Sequence, residues 1–91
     1  MDWVIKETKK ITKSLNTLPR NIQASYEAWR SVVLNNGIDS LRQIKGYHFE
    51  KLSGQRSQQH SCRLSKGYRV FFRIDKKIVT VYVLEVNKHE Y

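Results

Sequence analysis

Between residues 60 and 73 apolar and polar side chains alternate. Cys62 and Leu64 are apolar, while Ser61, Arg63 and Ser65 are polar. Further on, Val70, Phe72 and Ile74 alternate with Arg69, Phe71 and Arg73. A period of two marks a half-buried strand, and Ser65-Lys66-Gly67 between the two runs reads as a tight turn. The faces decide the register. A two-residue turn at Lys66-Gly67 would set Arg63 opposite Val70 and put a charge on the apolar face. A three-residue loop sets Arg63 opposite Arg69 and Cys62 opposite Val70, keeps each face uniform, and asks a left-handed conformation of Gly67. The second register is the expected one. It makes Arg63 and Arg69 direct cross-strand neighbours, with Arg73 further along the same face.

The rest of the chain frames this hairpin. Trp3-Val4-Ile5 reads as a short first strand. Residues 7–18 carry Ile11, Leu15 and Leu18 on one stripe and read as a helix, which Pro19 interrupts while suiting the first turn of the next. In residues 20–36 the apolar positions Ile22, Tyr26, Trp29 and Val33 are spaced as on one helical face, and Gly37 takes the C-cap. The two helices form a hairpin across one face of a sheet. Residues 38–44 form a helical turn capped by Asp39 or Ser40. Residues 45–59 have no clear period and read as a polar connector tied to the core by Phe49 and Leu52; long irregular segments in small domains are often functional. Residues 78–86 are a strongly apolar β-run entered through Asp75-Lys76-Lys77. A two-residue turn at Lys76-Lys77 would put Val79, Val81 and Val83 on the Val70, Phe72 and Ile74 face, and Thr80, Tyr82 and Leu84 with the arginines. The order predicts an α+β fold, with an N-terminal strand, a two-helix hairpin on one face of a mainly antiparallel sheet, and a C-terminal three-strand meander.

Composition narrows the class. Ninety-one residues make one small domain. No 18-residue apolar run could span a membrane, and the N-terminus lacks the basic-then-apolar pattern of a secretory signal. Cys62 is the single cysteine and alternates onto the apolar face, so it reads as a buried thiol. The reducing cytoplasm fits. The net charge is +9 and unevenly placed. Residues 42–73 hold Arg42, Lys45, Lys51, Arg56, Arg63, Lys66, Arg69 and Arg73 against Glu50 alone. Such a block points to nucleic acid or to an acidic protein. Like charges directly opposite on a sheet repel, so Arg63 beside Arg69 suggests a polyanion that neutralises them. The plainer reading is that each arginine points into water or finds a carboxylate.

No phosphate-binding glycine loop is present, and His48, His60 and His89 do not combine with Cys62 into a zinc spacing. No cofactor and no metal is expected. What remains suits metal-free RNA cleavage, which activates a ribose 2′-OH, stabilises a pentavalent phosphate and protonates the leaving 5′-oxygen. Glu50 is a candidate base. Arg63 and Arg69 are candidate phosphate ligands, since a guanidinium matches phosphate oxygens bidentately. His89 is a candidate acid, and Tyr91 could stack on a base. Taken alone, Glu50 also reads as a salt-bridge partner, and His89 and Tyr91 as a terminal tail.

At these residues the sequence resembles the RelE/ParE superfamily of bacterial toxin–antitoxin toxins, and within it the RelE, YoeB and HigB-like ribonucleases. Residues 11–29 look like the family's helical hairpin. Phe49-Glu50-Lys51-Leu52-Ser53-Gly54, followed by Ser61-Cys62-Arg63-Leu64 and Gly67-Tyr68-Arg69-Val70, looks like its central signature, and Lys88-His89-Glu90-Tyr91 like its catalytic tail. The resemblance implies metal-independent cleavage of mRNA in the ribosomal A site. It gives Glu50 the role of base. Arg69 becomes the widely shared phosphate ligand, Arg63 a basic position on the preceding strand, His89 the terminal catalytic group and Tyr91 the terminal aromatic. Lys45, Lys51, Arg56, Lys66, Arg73 and Lys88 would contact RNA. The implied partners are the ribosome with its mRNA and a cognate antitoxin, locally acidic, that wraps the basic face. Operator DNA would be reached only through the antitoxin, and no membrane is involved. Two departures stand out. Ser61 occupies the place of a second lysine in RelE, and the tail reads His-Glu-Tyr where YoeB-like proteins read His-Tyr. The same fold also serves ParE-like toxins, which inhibit DNA gyrase by protein binding; the presence of Glu50, Arg69, His89 and Tyr91 together favours the nuclease. An inactive RNA- or ribosome-binding relic is a third reading.

Overall fold

The computed structural model describes residues 2–88. Five strands form one sheet in the order β1-β5-β4-β3-β2. They are β1 (Val4–Lys6), β2 (Glu50–Lys51), β3 (His60–Ser65), β4 (Tyr68–Asp75) and β5 (Thr80–Lys88). The first strand pairs in parallel with β5, and the other neighbours are antiparallel. Two helices, α1 (Lys9–Asn16) and α2 (Arg20–Asn36), cover one face, and a short helix α3 (Ser40–Gln43) follows.

The apolar stripe of α2 is buried as its spacing predicts. Ile22, Tyr26, Trp29 and Val33 are all buried, and Trp29 and Val33 have no exposure at all. Trp29 lies with its ring 5.7 Å from Tyr26 and 5.1 Å from Phe72, joining helix to sheet. Cys62, Val70, Val81, Val83 and Val86 supply the sheet side of the same core. Burial pushes the Cys62 thiol up to about 12, with Trp29 and the Arg69 charge acting more weakly the other way. Cys62 therefore stays a neutral packing residue rather than a nucleophile.

The first helix is shorter than its apolar stripe suggests. Thr8 caps it, its hydroxyl oxygen accepting from the Ile11 N–H at 3.2 Å. At the other end the N–H groups of Thr17 and Leu18 turn back to Ser14 and Leu15, which tightens the last turn and closes the helix. Glu7 is left outside α1, where it accepts a short hydrogen bond from the Tyr26 hydroxyl and sits 3.3 Å from Arg30. Pro19 stands at the cap of α2 rather than within its first turn, with its carbonyl accepting from Ile22 and Gln23. Neither Asp39 nor Ser40 caps α3 by accepting from its N–H groups; the Ser40 hydroxyl instead donates to the Gly37 carbonyl at 2.6 Å.

Gly37 ends α2 at φ 86°, ψ 165°, a region open essentially to glycine. A Cβ there would also meet Trp3 Nε1 at 3.2 Å. Gly37→Ala is expected to cost about 1–3 kcal/mol. Thermal denaturation should show a midpoint lower by roughly 4 °C or more.

Four differences from the sequence reading lie in the sheet. The polar connector contains a fifth strand, β2, which pairs Glu50 with Ser61 and Lys51 with His60. Phe49 packs against the core from this connector, whereas Leu52 is only half-buried and does not join it. In the β3–β4 hairpin the pairs Arg63–Arg69 and Cys62–Val70 form as expected, but the extra residue sits inside β3 and not in the loop. Ser65 pairs with Tyr68, Leu64 is the bulged position, and Lys66-Gly67 form a two-residue turn in which Gly67 is not left-handed. The last strand starts later than predicted. Residues 76–79 make a four-residue loop, with Asp75 opposite Thr80 and Ile74 opposite Val81. That register differs by two residues from the expected one, so Val81 and Val83 keep their face. Val79 lies in the loop at φ 51° and its carbonyl accepts from the Val4 N–H. A second bulge falls at Leu84. Phe72 pairs with Val83 but Phe71 pairs with Glu85. Past that point Val86 returns to the core, and Glu85 and Asn87 join the arginine face.

Candidate active site

Side chains on the sheet face away from α1 and α2 fall into cross-strand rows. One row runs Glu50, Ser61, Phe71, Glu85; the next runs Arg63, Arg69, Asn87. The two carboxylates are thus three strand spacings apart, roughly 14 Å at about 4.8 Å per strand, and do not form a pair.

Arg69 is the centre of this surface. It is only 6% exposed. Its Nη2 donates to Ser61 Oγ at 2.9 Å and to the His48 carbonyl at 3.3 Å. Glu50 Oε2 lies 3.5 Å from the same nitrogen. Two of these partners hold the guanidinium from the protein side. The third is different, because the Glu50 side chain is 59% exposed. The ion pair therefore joins a fixed cation to a carboxylate at the rim, where solvent weakens the attraction. Arg63 is the direct cross-strand neighbour of Arg69. His48 reaches its place through a left-handed backbone, φ 43°, ψ 55°, at the end of a 3-10 turn over Lys45–Tyr47.

The other predicted residues scatter. Arg56 lies over the Phe71 ring at 4.4 Å, donates to Gln59 Oε1 at 2.9 and 2.7 Å, and pairs with Glu85 Oε1 at 2.5 Å. Its guanidinium is thus a cover over Phe71. Glu85 Oε2 also accepts from Asn87 at 2.7 Å. Arg73 sits 4.4 Å over the Tyr82 ring, four residues along β4 from Arg69 and so roughly 13 Å away. Lys66 is exposed at the hairpin tip. Lys88 pairs with Tyr68, one step beyond the Arg69–Asn87 pair, and is exposed. Lys51 follows Glu50 in β2 and so points to the opposite face. Lys45 is exposed on the connector. His89 and Tyr91 lie outside the described residues.

Two partners of Arg69 were not foreseen. Ser61, which alternates onto the arginine face and stands where RelE has a second lysine, is fully buried and holds the arginine; that alternation is the signal for it. The His48 carbonyl is a backbone group and leaves no trace in residue type. Below this surface His60 lies between Phe49 and Phe72, at ring distances of 5.3 and 6.0 Å. Burial first, and then the charges of Arg42, Lys51 and Lys76, hold its pKa below the usual histidine value. Among the described residues no three His, Cys, Asp or Glu side chains gather as a metal site would need. No helix among them is long and apolar enough to cross a membrane.

The fold and surface define a small α+β protein whose sheet carries an arginine–carboxylate cluster on the face its helices leave open. Solved structures share this architecture over nearly the whole chain. The archaeal RelE–RelB complex from Pyrococcus horikoshii OT3 matches with a TM-score of 0.74 at 21% identity, over 97% of this chain and 96% of that one. The YoeB–YefM complex from Staphylococcus aureus gives 0.71 at 15% identity with both chains covered in full. YafQ from E. coli strain BL21(DE3) gives 0.76 at 8% identity, over 96% and 93%. No family model matches the sequence, and no curated protein does. The chain has the RelE-like fold.

Proposed function

We propose that the chain is the toxin of a toxin–antitoxin pair and acts as a metal-independent mRNA endoribonuclease on the ribosome. The observation that carries this is the meeting of Glu50 with Arg69 at 3.5 Å, beside Arg63, on an open sheet face. In the proposed reaction a substrate phosphate takes the place of the Glu50 carboxylate on Arg69. Ser61 and the His48 carbonyl keep the guanidinium aimed while Glu50 moves to the adjacent ribose. Glu50 removes the 2′-OH proton, and the 2′-oxygen attacks phosphorus. The phosphorus–5′-oxygen bond breaks, leaving a 2′,3′-cyclic phosphate and a 5′-hydroxyl. Arg69 and Arg63 bind the charge that builds on the phosphoryl oxygens, the kind of interaction that dominates such barriers. His89 supplies the proton to the leaving oxygen, and Tyr91 stacks on a base.

Support comes from chemistry and from kinship of fold. The protein carries +9 net charge, suited to a polyanion. The structures of similar fold include a RelE–RelB complex from P. horikoshii and a heterotetrameric YoeB–YefM toxin–antitoxin complex from S. aureus. By the same reasoning the cognate antitoxin is locally acidic and covers the arginine face, operator DNA is contacted through the antitoxin, and the protein works in the cytoplasm. Nothing in the geometry favours the gyrase-binding alternative.

Brief expression in bacteria, with mRNA 5′ ends mapped by primer extension, tests the reading. New in-frame 5′ ends within codons are expected for the wild type and not for His89→Ala. Growth arrest with intact mRNA and induced DNA damage would move the function to gyrase.

A further inference from the structure

We propose that a second pocket, on the connector leading into β2, is a nucleotide site for the residue flanking the scissile phosphate of single-stranded RNA. This rests on the nuclease reading above. The pocket has a volume of about 350 Å³ and is lined by Arg42, Ile44, Lys45, His48 and Phe49.

Its position ties it to the reaction site. His48 lines the pocket, and its carbonyl accepts from Arg69. Phe49 lines it too, and the next residue is Glu50. Phe49, just before β2, packs toward the core, while Glu50 turns to Arg69 on the open face, so the two sit on either side of the β2 edge. An RNA strand lying on Arg69 and passing over this edge enters the pocket with its next nucleotide.

Its chemistry suits a base and a phosphate together. The Arg42 guanidinium lies 4.6 Å over the Phe49 ring, and Phe49 packs in turn on His60 and Phe72. This ladder starts in the core and ends in a planar cation on an exposed residue. Phe49 lies on one side of this guanidinium, and a nucleobase stacks on the other, as bases do on arginine planes in single-strand readers. Ile44, 42% exposed, gives the base an apolar wall. Lys45 and His48 are exposed donors for the phosphate. Among the described residues neither Arg42 nor Lys45 makes an ion pair, and no carboxylate lines the pocket. The cavity between the two long helices contrasts with this. It is lined by Glu7 and Glu27, and its one arginine, Arg30, is already paired with both, so it would repel a phosphate. The left-handed His48 adds a structural argument. Such a backbone is uncommon outside glycine and clusters at functional sites; here one residue gives its carbonyl to Arg69 and also lines the pocket.

The test uses the full chain and a hexanucleotide of 2′-O-methyl RNA, which cannot be cleaved, with an abasic version as its partner. Backbone amides of residues 42–49 should shift on titration. Arg42→Ala should weaken binding about tenfold, to the level at which the wild type binds the abasic strand. Arg42→Lys, which keeps the charge and loses the plane, should recover only a small part. His48→Gly keeps the left-handed backbone open and should cost severalfold. Equal affinity for the intact and abasic strands would overturn the proposal. So would an acidic peptide of the same charge that shifts the same amides with equal affinity, since the surface would then be a protein-binding one. The two readings separate cleanly. Amide shifts in a wild type that cuts no mRNA sink the nuclease and keep the nucleotide site. Cleavage with no shifts at 42–49, and with Arg42→Ala cutting at the wild-type rate, sinks the pocket and keeps the nuclease.

Discussion

Arg69→Ala is expected to remove toxicity and to lower mRNA cleavage by about 10²–10³-fold, the loss seen when one preorganised donor to a developing anion is deleted. The size follows from how the arginine is held. A surface arginine would be replaced in part by its neighbours or by water. Arg69 is 6% exposed and fixed by Ser61 and the His48 carbonyl, so its reorganisation has been met in folding. Arg63 is its neighbour across the strand pair but approaches from β3. The variant also leaves the Ser61 hydroxyl and the His48 carbonyl without their donor, at a cost of about 1–3 kcal/mol, within the range a small domain tolerates. Circular dichroism should therefore show a folded protein with a lowered midpoint. Arg69→Lys separates charge from shape. It should hold the fold better than alanine but restore little cleavage, because a lysine cannot reproduce the planar fork. A folded Arg69→Ala that still cuts mRNA would end the assignment of Arg69 as phosphate ligand.

The second large effect is on stability. Trp29→Ala should cost about 3–5 kcal/mol, a large part of the 5–15 kcal/mol typical of a native domain. The indole is fully buried and touches both layers, with Tyr26 along its own helix and Phe72 on the sheet. Its loss opens a cavity at the point where α2 meets β4, and a single small core has little material to refill it. Thermal or urea denaturation should show a midpoint lower by about 12 °C or more, with mRNA cleavage at low temperature retained in proportion to the folded fraction. Trp29→Phe should recover part of the loss. An alanine variant with an unchanged midpoint would mean that α2 is held mainly by other contacts.

The parts of this fold that could be read from the chain are those where one local pattern repeats. The stripe Ile22, Tyr26, Trp29, Val33 gave α2 its buried face, and Pro19 and Gly37 marked its ends, because nothing remote competes with a 3.6-residue period bounded by two such residues. Uniform faces alone selected the Arg63–Arg69 pairing. The illegible parts depend on partners far away in sequence. Strand β2 has only two residues, both exposed, and exists because β3 offers it an edge at His60 and Ser61. Glu7 opens the stretch that reads as the first helix but lies outside α1, held by Tyr26 and Arg30. Gly67 was given a left-handed role because loops favour glycine there, yet the extra residue was absorbed inside β3, where only the pairing with β4 could show it. At the candidate site, Glu50, Arg63 and Arg69 were nameable as residue types, while the carbonyl that steadies Arg69 was not.

The bulge at Leu84 gives the last strand two grammars. Up to Val83 odd positions point inward; from Glu85 onward the parity is reversed, and even Val86 points inward while Glu85 and Asn87 look out. Loss of one residue at the bulge would merge the two halves into a single regular ladder with every surviving side chain still on its present face. Loss of one residue elsewhere in the paired stretch would turn part of the strand over, sending valine to water and carboxylate to the core. For a lineage that drifts in length as well as in letters, Leu84 is therefore the joint at which this strand can shorten.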